Sequence, residues 1–141
     1  MIEYLFSATN PKMEALEFAA NEATCPKCRM GVEHKENSAQ AVFGDEKSYV
    51  FDDIGCMVLW FKQIGVDSKK IKTFVYAKDT HRWIDAKEAF YSIKDETPMG
   101  YGFAGYQQKQ NEFIDFETMR IKMLRGENMA DPKIRKMLLG K

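Results

Sequence analysis

The stretch from Ile54 to Ile64 constrains the fold most, because nearly every side chain in it is apolar (Ile54, Met57, Val58, Leu59, Trp60, Phe61, Ile64). Asp52-Asp53 ahead of it offers an N-cap, and Gly65 behind it suits the left-handed conformation that ends a helix. A helix apolar around this much of its circumference has to be buried, and a sheet is the expected cover. Two β-prone runs precede it, Gln40 to Phe43 and Lys47 to Phe51, around Gly44-Asp45-Glu46, which reads as a hairpin. Tyr49 and Phe51 then share one face of the second strand. The unit is β-β-α.

A similar cycle follows. Lys72 to Ala77 reads as a strand, Lys78-Asp79-Thr80 as a turn, and His81 to Ile84 as the returning strand. Asp85 to Glu88 can cap a short helical turn, and Ala89 to Ile93 reads as a further strand. Lys94 to Thr97 and Pro98-Met99-Gly100-Tyr101-Gly102 form a loop punctuated by Gly and Pro. No sequence repeat is strong enough to indicate duplication. Near the start, Asn10 and Pro11 set a cap and a first-turn proline for a helix over residues 12–20. Beyond Asn111, apolar residues sit among charged ones in an amphipathic helix running to about Arg125. Asp131-Pro132 then opens a short basic helix, Lys133 to Leu139, either a solvated face or a docking segment.

At 141 residues the chain suits one domain with a core that needs no disulfide staples. Its 21 lysines and arginines balance 21 aspartates and glutamates, so no net field draws it to nucleic acid or an anionic membrane. Three cysteines are too few for a disulfide-rich scaffold. Met1 to Phe6 has neither a basic n-region nor a long apolar h-region, so no export signal is expected there. No apolar run is long enough for a transmembrane helix.

The chemistry concentrates in Cys25-Pro26-Lys27-Cys28-Arg29-Met30, two thiols and a thioether within six residues. Soft sulfur donors select Cu(I), Zn(II) or iron–sulfur clusters over hard cations. C-x-x-C brings two sulfurs to one ion through a tight turn, which Pro26 supports. Cys28 and Met30, two apart, point to the same side of an extended segment. Met30 reads as a thioether donor, which favours copper over zinc, or as core filler. Cys56 falls in the first turn of the Ile54 helix, where the helix dipole favours a thiolate; the alternative is a buried, inert small hydrophobe. His34 and His81 could complete a zinc site, but neither belongs to a close ligand pair, so surface positions are expected for both.

Taken together, Cys28-Arg29-Met30, Phe51-Asp52-Asp53-Ile54-Gly55-Cys56, Trp83-Ile84-Asp85-Ala86 with Ala89-Phe90-Tyr91, and Pro98-Met99-Gly100 resemble the NosL family of nitrous oxide reductase accessory proteins. Order and approximate spacing agree from about Cys25 to Gly105. The resemblance implies an α+β fold of two small ββαβ-type halves, related to the organomercurial lyases. It also implies Cu(I) binding and copper delivery to nitrous oxide reductase in denitrification, a role in metalloenzyme assembly. The family's ligands would fall on Cys28 and Met99, with Met30 as an accessory and Cys25 and Cys56 nearby. Arg29 departs from a position that is often glycine in the family. The family is commonly exported and often lipid-anchored, which implies the periplasm or cell envelope if a leader has been removed; the chain as written, without signal or lipobox, is otherwise expected in the cytoplasm.

The expected organisation is therefore a helical N-terminal arm (1–24), a NosL-like metal-binding domain (25–110) and a helical C-terminal extension (111–141). The leading expectation is a Cu(I) chaperone rather than an enzyme, with copper and a copper enzyme as partners. Two alternatives stand beside it. One is a zinc-stabilised domain using Cys25, Cys28 and Cys56. The other is a thiol enzyme, an oxidoreductase or a cousin of the organomercurial lyases, for which no acid or base adjoins the thiols in sequence although Asp52 and Asp53 could approach in space.

Overall fold

The computed structural model describes residues 12–140. Strands β1 (Ala39–Val42) and β2 (Ser48–Phe51) form the expected hairpin, in antiparallel register with Ala39 opposite Phe51. Helix α1 (Ile54–Ile64) follows at once, capped by the Asp53 carboxylate on the Gly55 N–H and closed by Gly65 at φ 76°. β3 (Lys72–Ala77) returns beside β1, and β4 (Arg82–Asp85) pairs with β3. All four strands make one antiparallel sheet in the order β2-β1-β3-β4.

The apolar character of α1 is explained by what it touches. One side lies on β1 and β2, where Trp60 meets both Tyr49 and Phe51, the two same-face residues of β2. Phe61 meets Phe51 and Phe43 edge-on. The opposite side is covered by α2 (Phe116–Arg125), whose Met119 and Met123 are buried. Covered on two sides, the helix has little use for a polar face.

The order β1, β2, α1, β3 is a ββαβ unit. The second half is assembled differently. β5 (Phe90–Ser92) pairs with β6 (Ala104–Tyr106) in a separate two-stranded sheet, with α2 and then α3 (Pro132–Leu139) after it. β6 lies close to β3: the Lys78 N–H donates to the Gly105 carbonyl at 2.9 Å. A Cβ on Gly105 would stand 2.8 Å from a Val75 methyl, so glycine permits that approach. β6 escaped sequence reading because Gly102-Phe103-Ala104-Gly105 carries two glycines and almost no alternation. Asp85 to Glu88 is a turn, as expected, with the Asp85 carboxylate accepting the Lys87 N–H.

The expected helix over residues 12–20 is corrected: the segment is irregular, neither helix nor strand. Met13 takes a positive φ of 50°, which a helix does not tolerate. The Leu16 N–H and carbonyl are both taken by the buried side-chain amide of Gln40 on β1, at 2.8 and 2.7 Å. A tertiary partner thus outcompetes the helical i→i−4 bond. Phe18 is buried and packs on Trp83. Asn10 and Pro11, the expected cap, and Met1 to Phe6, the stretch without an export signal, lie outside the described residues. One hydrophobic cluster includes Phe18, the α1 residues, Phe103, Phe116 and Met123, so all three sequence segments contribute to a common core. No helix among the described residues is long and apolar enough to cross a membrane.

Candidate metal centre

The Cys25–Met30 stretch is the loop of a miniature hairpin. The Val32 N–H donates to Ala23 and the Asn21 N–H to Val32, each at 2.9 Å, and Thr24 and Gly31 form an antiparallel bridge. Inside it, the Cys25 N–H donates to the Met30 carbonyl at 3.0 Å and the Arg29 N–H to the Cys25 carbonyl at 2.9 Å. Closing so tight a turn puts Arg29 at φ 68°, in the left-handed region that favours glycine. That is the physical content of a position the resembling family often fills with glycine.

The other half of the site comes from the junction of β2 and α1. Asp53 caps the helix, Asp52 precedes it, and Cys56 stands in its first turn. Folding the hairpin loop onto this junction brings the Cys25, Cys28 and Cys56 Sγ atoms and an Asp52 carboxylate oxygen all within 4.8 Å of one another. The Cys28 thiol donates to Asp52, 3.3 Å from each carboxylate oxygen, and Cys56 Sγ lies 3.5 Å from Asp52 Oδ1. Cys25 and Cys56 are wholly buried and Asp52 nearly so, whereas Cys28 is partly exposed.

The electrostatics separate the three thiols. A hydrogen bond from Cys56 holds the Cys25 sulfur towards thiolate, at about 7, against the opposing effect of burial. Cys56, the donor in that bond and itself buried, is pushed upward. Burial first, then the charges of Cys25 and Asp52, raise Cys28 to about 12. Protons therefore occupy two of the three sulfurs, and an incoming cation has to displace them.

Of the sequence-derived candidates, Cys25, Cys28 and Cys56 converge. Met99 comes from the Thr97-to-Gly100 turn, partly buried against the core, with its N–H held by Asp53 Oδ2 at 3.2 Å. Met30 is 46% exposed and lines a cleft of about 370 Å³ beside Asp52, so its thioether faces solvent and not the core. His34 and His81 are exposed and stand outside the cluster. Sequence reasoning missed Asp52 as a donor. The usable signal was its spacing of four from Cys56 across a helix start, which lets two side chains meet on one side. Tyr101 was also missed. Its ring lies against Gly55, and its hydroxyl is raised to about 12 by burial and by Cys56, Asp53, Cys28 and Asp52.

No protein-family model matches the chain, and no curated protein sequence matches it. Its fold is similar to that of the crystal structure of the copper chaperone NosL from Shewanella denitrificans, with a TM-score of 0.50. The fold is NosL-like. The match covers 77% of this chain and 87% of that chain at 13% sequence identity, so the likeness is one of fold. What the NosL-like scaffold carries here is a three-thiol, one-carboxylate cluster, buried except at Cys28, a donor set that fits a metal ion.

Proposed function

We propose that this chain is a Cu(I) carrier, an accessory protein of the NosL kind that receives copper and passes it to a copper enzyme. The observation that carries the reading is the convergence of the Cys25, Cys28 and Cys56 sulfurs within 4.8 Å. Thiolate sulfur is the soft donor that Cu(I) prefers, and the burial of Cys25 and Cys56 shields the ion from water. Met99, and Met30 at the exposed edge, are the thioethers the NosL resemblance adds. A carrier has to release its ion by ligand exchange. Cys28, the one partly exposed thiol of the three, is where a partner's sulfur would enter. Nitrous oxide reductase is the recipient that the sequence resemblance suggests.

Asp52 favours a second reading. A carboxylate completes an S3O set, and tetrahedral zinc with Zn–S bonds of about 2.3 Å would set its sulfurs about 3.8 Å apart. The donor atoms of the cluster, all within 4.8 Å of one another, lie near that spacing. Asp52 also supplies the carboxylate beside the thiols that a thiol enzyme would require.

Metal analysis of anaerobically purified protein after copper supplementation, with a Cu(I)-chelator competition titration, tests the carrier reading. One Cu(I) per chain, lost in Cys28→Ser, is expected. Tightly held zinc that copper does not displace would overturn it, as would disulfide reductase or carbon–mercury cleavage activity.

A further inference from the structure

Resting on the carrier reading above, we propose that the thiol cluster is also a redox switch, in which an incoming small-molecule disulfide links Cys28 to Cys25 and ejects the metal.

The first argument is access. Cys25 and Cys56 have no solvent exposure, and Cys28 is partly open. A disulfide of glutathione size can therefore reach one sulfur of the three. The cleft of about 370 Å³ lined by Met30, Gly31 and Asp52 opens next to it, since Asp52 is in hydrogen-bond contact with Cys28. The second argument is resolution. Both remaining sulfurs lie within 4.8 Å of Cys28, but they are held differently. Cys56 is fixed on α1, behind the Asp53 cap. Cys25 belongs to the same turn as Cys28, closed by the Arg29 N–H on the Cys25 carbonyl. Joining those two moves side chains within one loop and no element against another, and a bridge of S–S about 2 Å is reached by local rotation.

The exchange balances in two steps. Cys28, whose thiol donates to Asp52 at 3.3 Å, gives its proton to that carboxylate as it attacks the added disulfide R–S–S–R, forming Cys28–S–S–R and releasing R–S⁻, which takes up the proton. Cys25 then attacks the Cys28 sulfur, forming the Cys25–Cys28 bridge and releasing a second R–S⁻. Two protein thiols are oxidised, one disulfide is reduced to two thiols, and the two thiol protons pass to the leaving groups. The ion loses two of its three thiol sulfurs and is left with Cys56, Asp52 and the neutral thioethers, a weaker donor set from which a chelator takes Cu(I). Conversely, a bound ion occupies Cys28 and slows the attack.

The test uses the full chain. Reduced, metal-free protein is treated anaerobically with oxidised glutathione, denatured, alkylated with iodoacetamide and digested with trypsin for mass spectrometry. The expected product is the Cys25–Cys28 bridge with Cys56 alkylated. Cu(I)-loaded protein is expected to react more slowly and to release copper to a chromophoric chelator as the bridge appears. A stable glutathione adduct on Cys28, a bridge to Cys56, or no reaction would overturn the switch; the mapping on the unmodified chain needs no variant to fold. The two readings fail separately. A reduced chain that binds no Cu(I) removes the carrier reading and redox control with it, whereas a chain that binds Cu(I) but forms no Cys25–Cys28 bridge removes the switch alone.

Discussion

The Asp53 carboxylate accepts the Met99 N–H at 3.2 Å through one oxygen and caps α1 at Gly55 through the other, at 3.0 Å. One buried side chain thus fastens the Pro98-to-Gly100 turn to the helix start that carries Cys56, next to the cluster carboxylate Asp52. The Asp53→Ala variant is expected to lose about 1–3 kcal/mol, from the cap and from leaving the buried N–H groups unpaired. Urea unfolding measures this, and a variant as stable as the parent would show that the turn is held by something else.

Burial raises the Asp53 carboxyl to about 6. An unfolded aspartate titrates near 3.9, so between about pH 4 and 6 the folded chain holds a proton that the unfolded chain has lost. This contribution makes stability fall as pH rises through that window, by at most about 3 kcal/mol. Asp79, Asp115 and Glu117 are lowered and slope the other way. Comparing wild type with Asp53→Asn isolates Asp53, and wild type is expected to gain stability relative to the variant from pH 6 to pH 4.5 in paired urea titrations. An unchanged difference would contradict a raised Asp53.

Metal binding is expected to fall in the order of donor burial and softness. Cys28→Ser abolishes Cu(I) binding, Met99→Ala weakens it, and Met30→Ala weakens it least, with no loss of stability at that exposed position. Because Cys28 and Cys56 hold their protons to high pH, the apparent affinity rises from pH 6 to pH 8. Chelator competition reads both effects. Full-strength binding by Cys28→Ser would sink the assignment.

Metal removal separates copper carriage from a zinc-dependent fold. The core continues well beyond the cysteines, through Phe51, Met57, Phe61, Tyr91, Phe103 and Met119. The metal-free chain is therefore expected to stay folded and to unfold cooperatively on heating, followed by circular dichroism. Collapse of the fold on chelation would favour the zinc reading.

Two backbone positions make sharp opposite predictions. Gly55→Ala would place a Cβ 2.4 Å from Tyr101 Cδ2 and 3.0 Å from Met123 Cε. Overpacking of about 1–3 kcal/mol outweighs the roughly 1 kcal/mol gained in helix propensity, so the variant is expected to be less stable. Arg29→Gly relieves a left-handed arginine at φ 68° and is expected to be neutral or up to about 1 kcal/mol more stable. Thermal melts of the two variants test both signs.

Elements whose signals are local were legible in the sequence. α1 has its cap at Asp53, its apolar run and its Gly65 stop in adjacent positions, and its bounds agree with the reading to the residue. β3 likewise carries its β-branched and aromatic residues between turn residues. Residues 12–20 carry helix formers, but Gln40 claims the Leu16 backbone, a competitor twenty-four positions away that no local window contains. β6 is a strand because β5 and β3 lie beside it, not because of its own composition.

The candidate site divides along the same line. Residue chemistry alone singled out two cysteines in a tight turn and a third at a helix start, because thiols are scarce and their spacing is a local property. That all three meet, and that Asp52 and not a histidine joins them, depended on the hairpin loop folding back over the β2–α1 junction. Sequence distance carries no information about that closure. It results from the burial of α1 between sheet and α2, which leaves the N-terminal end of the helix as the surface on which the Cys25–Met30 loop comes to rest.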